Sequence, residues 1–316
     1  MNKRINDMAL GWMGILLFAA CTSNSPAGSH EPPIDTKAPI VFGSKVTRAA
    51  VDADKNGMTD FLVWGGYGNQ NNLFNAETVT PQGNYTGTRY WVPGEPHNFY
   101  ALHPAGLAKV SCTDAGILTV TDFDTSANKG TDAIDLMTAS AINLSGTPPS
   151  PVALTFSHEL SRVKVSVEPQ GEVKIIQACL YGISSTGTMT CNFSVENPVA
   201  TWECGTVLTA ENTPFKVTPP SEAISSSYTL FDDMLLIPQS LTIPQSLTTA
   251  VVQLTYQFRG EEQQRTSDLV LSTDKVNTWE NGNNYHYKLS ISPLTTSITI
   301  KVEVLPWDKK DVSVEW

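Results

Sequence analysis

The chain has 316 residues, a net charge of −11 and only 16% Asp, Glu, Lys and Arg. An acidic balance without a basic cluster excludes nucleic acid as a partner. Frequent Thr, Ser, Val and Asn, with Pro and Gly throughout, predict an all-β protein of short strands and many turns.

Lys3 and Arg4 precede an uncharged apolar run from Met8 to Ala20, and Ala19-Ala20-Cys21 follows. A basic start, a short apolar core and small residues describe an export signal over residues 1–20. The run is too short for a membrane-spanning helix, which needs about 20 residues. A Cys directly after the small residues predicts a lipoprotein, with a diacylglyceryl group on the Cys21 thiol. Each acyl CH₂ buried in a bilayer contributes about 0.8 kcal/mol to anchoring. The alternative is an ordinary signal peptide with an incidental Cys. Removing 20 residues leaves 296, enough for two domains or one large β domain.

Residues 21–37 read as a flexible tether rich in Ser, Pro and Gly. Residues 39–46 alternate as one strand. A polar stretch follows to Asp60. Strands are then expected at Phe61–Trp64 (ended by Gly65-Gly66), Leu73-Phe74, Thr78-Val79, Asn98–Leu102, Ile117–Val120 and Asp135–Ala139. Thr147-Pro148-Pro149-Ser150-Pro151 lacks ladder donors, so a domain boundary is placed there, between 38–150 and 151–316. The second half opens with Val152–Phe156, and the closest helical candidate is a short turn at Ser157–Leu160. Val163, Val165 and Val167 mark a period-2 strand. Further strands are expected at Ile175-Ile176, Cys179-Leu180, Phe193 with Val195, Met234–Gln239, Val251–Phe258 and Tyr287–Ile291, with a hairpin turn at Arg259-Gly260. The chain closes on two alternating strands. One puts Ile298, Ile300, Val302 and Val304 on a single face, and the other puts Val312, Val314 and Trp316 on a single face.

Motifs that carry chemistry are sparse. Asp52, Asp54, Asn56, Gly57 and Asp60 resemble the front of a calcium loop, but Val63 stands where such a loop needs Glu. An Asx-rich turn is the competing reading. The histidines form no metal-binding or hydrolase spacing, so no catalytic residue, metal or other cofactor is implied. Besides Cys21, Cys112, Cys179, Cys191 and Cys204 allow three full pairings. Cys191–Cys204 is the first pair to test, with buried free thiols as the alternative. The tryptophans mostly sit inside apolar runs and are expected in cores.

The landmarks in order are Cys21, Thr47-Arg48-Ala49, Trp91-Val92-Pro93-Gly94 before Phe99-Tyr100-Ala101, and Asp135-Leu136-Met137. Leu154-Thr155-Phe156-Ser157-His158-Glu159-Leu160, Leu236-Ile237-Pro238-Gln239, Trp279, Tyr285, Tyr287 and Val304-Leu305-Pro306-Trp307 complete them. Together they resemble the fimbrillin superfamily, the lipoprotein pilins of type V pili. The resemblance implies two transthyretin-like β-sandwich domains in tandem. It also implies export by the lipoprotein machinery to the outer membrane, then cleavage by an Arg-specific protease between Arg48 and Ala49. Other pilin subunits are the implied partners, the fimbrium at the cell surface the implied location, and adhesion the implied role; a host or bacterial surface ligand is unidentified. On the residues alone, excising strand 39–46 would expose an apolar groove and a strand edge, and residues 297–316 have the alternation a donor strand needs. Such pairing is heterologous and builds an open filament. The competing function is a monomeric β-sandwich lipoprotein that binds glycan or host protein.

Overall fold

A computed structural model describes residues 38–46, 58–130, 133–145, 151–217, 219–243, 248–295 and 297–307. The first ten strands are β1 (Phe42–Val46), β2 (Phe61–Tyr67), β3 (Phe74–Val79), β4 (His97–His103), β5 (Val110–Cys112), β6 (Ile117–Asp124), β7 (Met137–Leu144), β8 (Val152–His158), β9 (Ser161–Pro169) and β10 (Val173–Tyr181). Next come β11 (Thr186–Asn192), β12 (Thr201–Cys204), β13 (Lys216–Val217), β14 (Tyr228–Leu236), β15 (Thr242–Ile243) and β16 (Thr248–Thr249). The last four are β17 (Val251–Phe258), β18 (Arg265–Val270), β19 (Asn283–Ile291) and β20 (Thr299–Pro306). The fold is all-β, as composition predicts.

Four main sheets form two sandwiches in tandem. In the first, the sheet β1-β8-β7-β4-β2-β3 lies against β12-β11-β6-β5. In the second, β13-β10-β17-β18 lies against β14-β9-β19-β20. Sequence period sets the faces. In β8, Val152, Leu154, Phe156 and His158 are buried and the residues between them are exposed. Val163, Val165 and Val167 of β9 likewise point into one core with Tyr285, Tyr287 and Leu289 of β19 and Leu254 and Tyr256 of β17.

The six-stranded sheet is buried on both faces, which explains why Phe61–Trp64 and Phe99–Leu102 read as continuous apolar runs. Phe61, Val63, Phe99 and Ala101 enter one core. Trp64, Tyr100 and Leu102 enter another, shared with Met189 and Cys191 of β11. The sheet curls until Phe42 of β1 meets Phe74 of β3, at opposite ends of the strand order, with ring centroids 5.1 Å apart.

Several expectations change. β2 does not end at Gly65-Gly66 but runs on to Tyr67. Gly65 has φ 136°, and a Cβ there would stand 2.1 Å from the Asn98 carbonyl oxygen, so the glycine lets β4 approach rather than breaking the strand. Ile175-Ile176 and Cys179-Leu180 belong to the single strand β10, which carries a register shift. Phe193 lies past the end of β11, where its N–H bonds the Gly116 carbonyl at 2.9 Å. Ser157–Leu160 is not helical: β8 runs through His158 and β9 begins at Ser161.

The sheets also do not part at residue 150. β8 pairs with β1 and β7, and β11 pairs with β6, so residues 152–158 and 186–204 complete the first sandwich. A buried carboxylate links the two halves. Glu159 accepts bonds from Thr138 Oγ1 at 2.5 Å and Asn281 Nδ2 at 2.7 Å, while its carbonyl accepts from Trp202 Nε1 at 3.0 Å. Burial raises the Glu159 pKa above the usual carboxylate value.

Candidate assembly site: an edge strand in an aromatic box and a pinned terminal strand

β1 is an edge strand. Its ladder runs parallel to β8 over five residue pairs, from Phe42↔Val152 to Val46↔Phe156. β7, on the other side of β8, contributes only two registered pairs. Just before β1, Ile40 N–H donates to the Arg89 carbonyl at 2.8 Å, and Trp91 N–H donates to the Ala38 carbonyl at 3.0 Å. Tyr85 Oη–H donates to the Ile40 carbonyl at 2.7 Å. Residues 38–42 are thus held on one side by β8 and on the other by the segment 85–91.

The side chains explain the grip. Ile40 is 1% exposed and Phe42 2%. The Phe42 ring sits edge-on to Phe74, to Phe99 at 5.4 Å and to Tyr85 at 6.0 Å. Arg89 closes this box, with its guanidinium 4.7 Å from the Phe74 centroid and 2.6 Å from Glu77. Gly83 (φ 84°) lies so close that a Cβ would stand 2.0 Å from the Phe42 carbonyl oxygen. Burying Ile40 and Phe42 contributes about 1.5–3 kcal/mol each. Sequence periodicity marks the alternating strand; the box partners Tyr85 and Arg89 come from a segment with no strand signal.

β20 is the edge strand of the second sandwich, paired antiparallel with β19 from Ser290↔Thr299 to Asn283↔Pro306. Ile298, Ile300 and Val302 are half-buried against the second core, as their alternation predicts. Val304 departs from that face and is 42% exposed. The strand ends in a pin. Trp307 is 3% exposed and its ring lies flat on His158, with centroids 4.3 Å apart and planes 5° apart. Its N–H donates to the Gly282 carbonyl at 3.0 Å. His158 Nδ1 is in turn 2.9 Å from the Asp135 carboxylate. His158 also ends β8, so one strand touches both β1 and Trp307.

Cys21, Arg48, Ala49, Asp52, Asp54, Asn56, Val312, Val314 and Trp316 lie outside the described residues. Asp60 is exposed, and its carbonyl accepts from Ala105 N–H at 2.7 Å. Among the described residues, no three His, Cys, Asp or Glu side chains gather as a metal site, and no helix is long and apolar enough to cross a membrane. The four described cysteines are free thiols. Cys191 and Cys204 cannot bridge, because Cys204 pairs with Gly187, four residues along the ladder from Cys191. That is about 13 Å at strand rise, against the 7 Å limit for a disulfide.

Tandem β-sandwiches with a buried edge strand define a class of all-β proteins, and comparison with known proteins narrows it. The fimbrillin-like family profile matches residues 41–307. The chain therefore belongs to the fimbrillin-like family, and membership supports a structural role as a pilus subunit at the cell surface. A crystal structure of a candidate cell adhesion protein from Bacteroides uniformis aligns with TM-score 0.55 and 18% identity, covering 85% of this chain and 99% of that one. A fimbrial protein from Bacteroides vulgatus aligns with TM-score 0.56 and 16% identity, covering 84% and 99%. At these identities the likeness is one of fold. No curated protein sequence matches the chain.

Proposed function

We propose that the chain is a pilus subunit made as a lipoprotein precursor and assembled by protease-triggered strand exchange, in support of cell adhesion. The lipid on Cys21 carries the precursor to the outer membrane. An Arg-specific protease cuts after Arg48, which removes lipid, tether and β1 and leaves 268 residues beginning at Ala49. A terminal segment of another subunit, drawn from residues 297–316, then fills the vacated groove.

One observation carries this reading. β1 is an edge strand whose Phe42 is sealed in an aromatic box, with Ile40 buried just before it, and Arg48 lies two residues beyond its end. Excision would leave five positions of β8 without a ladder partner and open an apolar slot beside them. Main-chain pairing plus side-chain pockets is how a sheet edge captures a strand. β20 supports the other half of the exchange: it is itself an edge strand, and its apolar face is only half-buried.

Mass spectrometry of the protein from the cell surface tests the proposal. The expected form begins at Ala49 and runs in oligomeric ladders. Arg48→Ala is expected to leave an acylated, monomeric precursor. Pili that still carry this subunit after that change would refute cleavage-triggered assembly. An intact acylated Cys21 in the final wild-type form would favour a stationary, monomeric surface binder instead.

A further inference from the structure

We infer that a cleft on the first sandwich, next to a β-bulge between β4 and β7, binds a neutral saccharide. The cleft encloses about 520 Å³, within the range of small-ligand sites. Its polar rim comes from Asn69, Asn98, Asp114, Asn143 and Ser194, and its apolar part from Ile142 together with Tyr100 and Phe193. The rim side chains sit on separate connections or strand ends, brought together by the fold rather than by sequence proximity.

The bulge builds the site. His97 pairs with Leu144 and Phe99 with Ala141, so Asn98 opposes two residues, Ile142 and Asn143. Asn143 takes up the extra residue with φ 60°. Bulges re-aim side chains and are frequent beside functional sites. Here the bulge leaves Ile142 47% exposed at the cleft. Asn98 braces the arrangement: its Oδ1 accepts Asn143 N–H at 2.7 Å, and its Nδ2 donates to Asn69 Oδ1 at 2.7 Å. Asp114 is set by Asn71 N–H, which donates to Oδ1 at 2.9 Å. Asn71 Oδ1 is buried there without a partner. The Tyr100 and Phe193 rings stack at 5.4 Å and 15° beneath.

The unused hydrogen-bonding capacity indicates the ligand. Asp114 Oδ2, Asn69 Nδ2 and the Asn143 side-chain amide make no hydrogen bond within the described residues. A carboxylate oxygen and amides beside an exposed aliphatic patch match the hydroxyls and C–H face of a sugar ring. No Lys, Arg or His lines the cleft, so nothing there would neutralise a phosphate or a sugar acid. A purely apolar ligand would leave the amides and Asp114 unpaired.

Saturation-transfer NMR on the intact chain provides the test. The probes are the methyl glycosides of glucose, galactose and mannose and N-acetylglucosamine, with glucuronate and inorganic phosphate as anionic comparisons. At least one neutral sugar is expected to bind in the millimolar range, while glucuronate and phosphate do not. Asp114→Asn keeps an acceptor for Asn71 and is expected to weaken binding about tenfold, the loss of one charged hydrogen bond. Ile142→Glu, at an exposed position, is expected to abolish binding without changing the melting temperature. No neutral sugar binding at about 10 mM, anion binding of equal strength, or unchanged binding in both variants would overturn the assignment. The site does not involve β1 or Arg48, so this result is independent of cleavage.

Discussion

Burial sets the chemistry of the four thiols. Desolvation pushes Cys112 and Cys191 up to about 12, and raises Cys179 and Cys204 as well. The thiolate is the reactive form, so native thiols far above neutral pH are poor nucleophiles. Alkylation of the native chain, mapped by peptide mass spectrometry, is expected to modify exposed Cys204 first and Cys112, Cys179 and Cys191 only on unfolding; early labelling of Cys191 would contradict the packing. His97 and His103 have pKa values lowered chiefly by burial. The neighbours of His103 also select the neutral ring: Nδ1 faces the Asp135 carbonyl at 3.0 Å, so it donates, and Nε2 accepts from Thr59 N–H at 3.3 Å. A His with a depressed folded-state pKa leaves the unfolded chain binding protons first. Its stability contribution is therefore complete above the ordinary value of about 6.5 and falls as pH drops below it. Glu159, raised by burial, acts in the opposite sense and loses stability as pH rises. His103→Asn isolates one contribution: the melting-temperature gap between wild type and variant is expected to narrow from about pH 7.5 to about pH 5.5. A constant gap would show that His103 does not titrate in this window. Free buried thiols are one of the two readings the sequence leaves open, but which cysteines and histidines are buried is not legible in it, because that depends on strands distant along the chain.

Strands with a clean period of two were the legible elements. β8, β9, β17, β19 and β20 each match an apolar alternation or run. β12 and β13 carry no readable signal, because four and two residues are too short for a pattern, and they are held by their neighbours. The pin on β20 was half-legible: Trp307 was expected in a core, but its partner His158 was not identifiable from spacing. Trp307→Ala removes a buried ring, a change that costs about 3–5 kcal/mol where packing is complete. Since Trp307 terminates an edge strand, the loss is expected to fall locally. Hydrogen exchange of the Thr299–Leu305 amides is expected to accelerate while β10 and β17 stay protected. Equal acceleration across both sandwiches would mean that the ring supports the whole molecule.

At the scale of the molecule, the all-β class and the tandem sandwiches were legible, whereas the exchange of strands between halves was not. Prolines near 150 mark a connection, yet the chain returns twice to complete the first sandwich, with β8 and then with β11 and β12. Leu118 and Val120 share a core with Met189 and Cys191. A fragment of residues 38–150 lacks those strands and is expected to remain unfolded, with collapsed amide dispersion by NMR; a cooperatively melting fragment would contradict this interleaving. The parallel register of β1 on β8 has a further consequence, one of timing. In the proposed exchange, a segment covalently joined to its own groove competes at an effective concentration that a separate molecule does not reach. A free neighbour, far more dilute, loses that contest however well its side chains fit. In the proposed assembly the subunit is its own chaperone and its own inhibitor until the cut after Arg48, and the moment of polymerisation is a property of the protease rather than of the pilin.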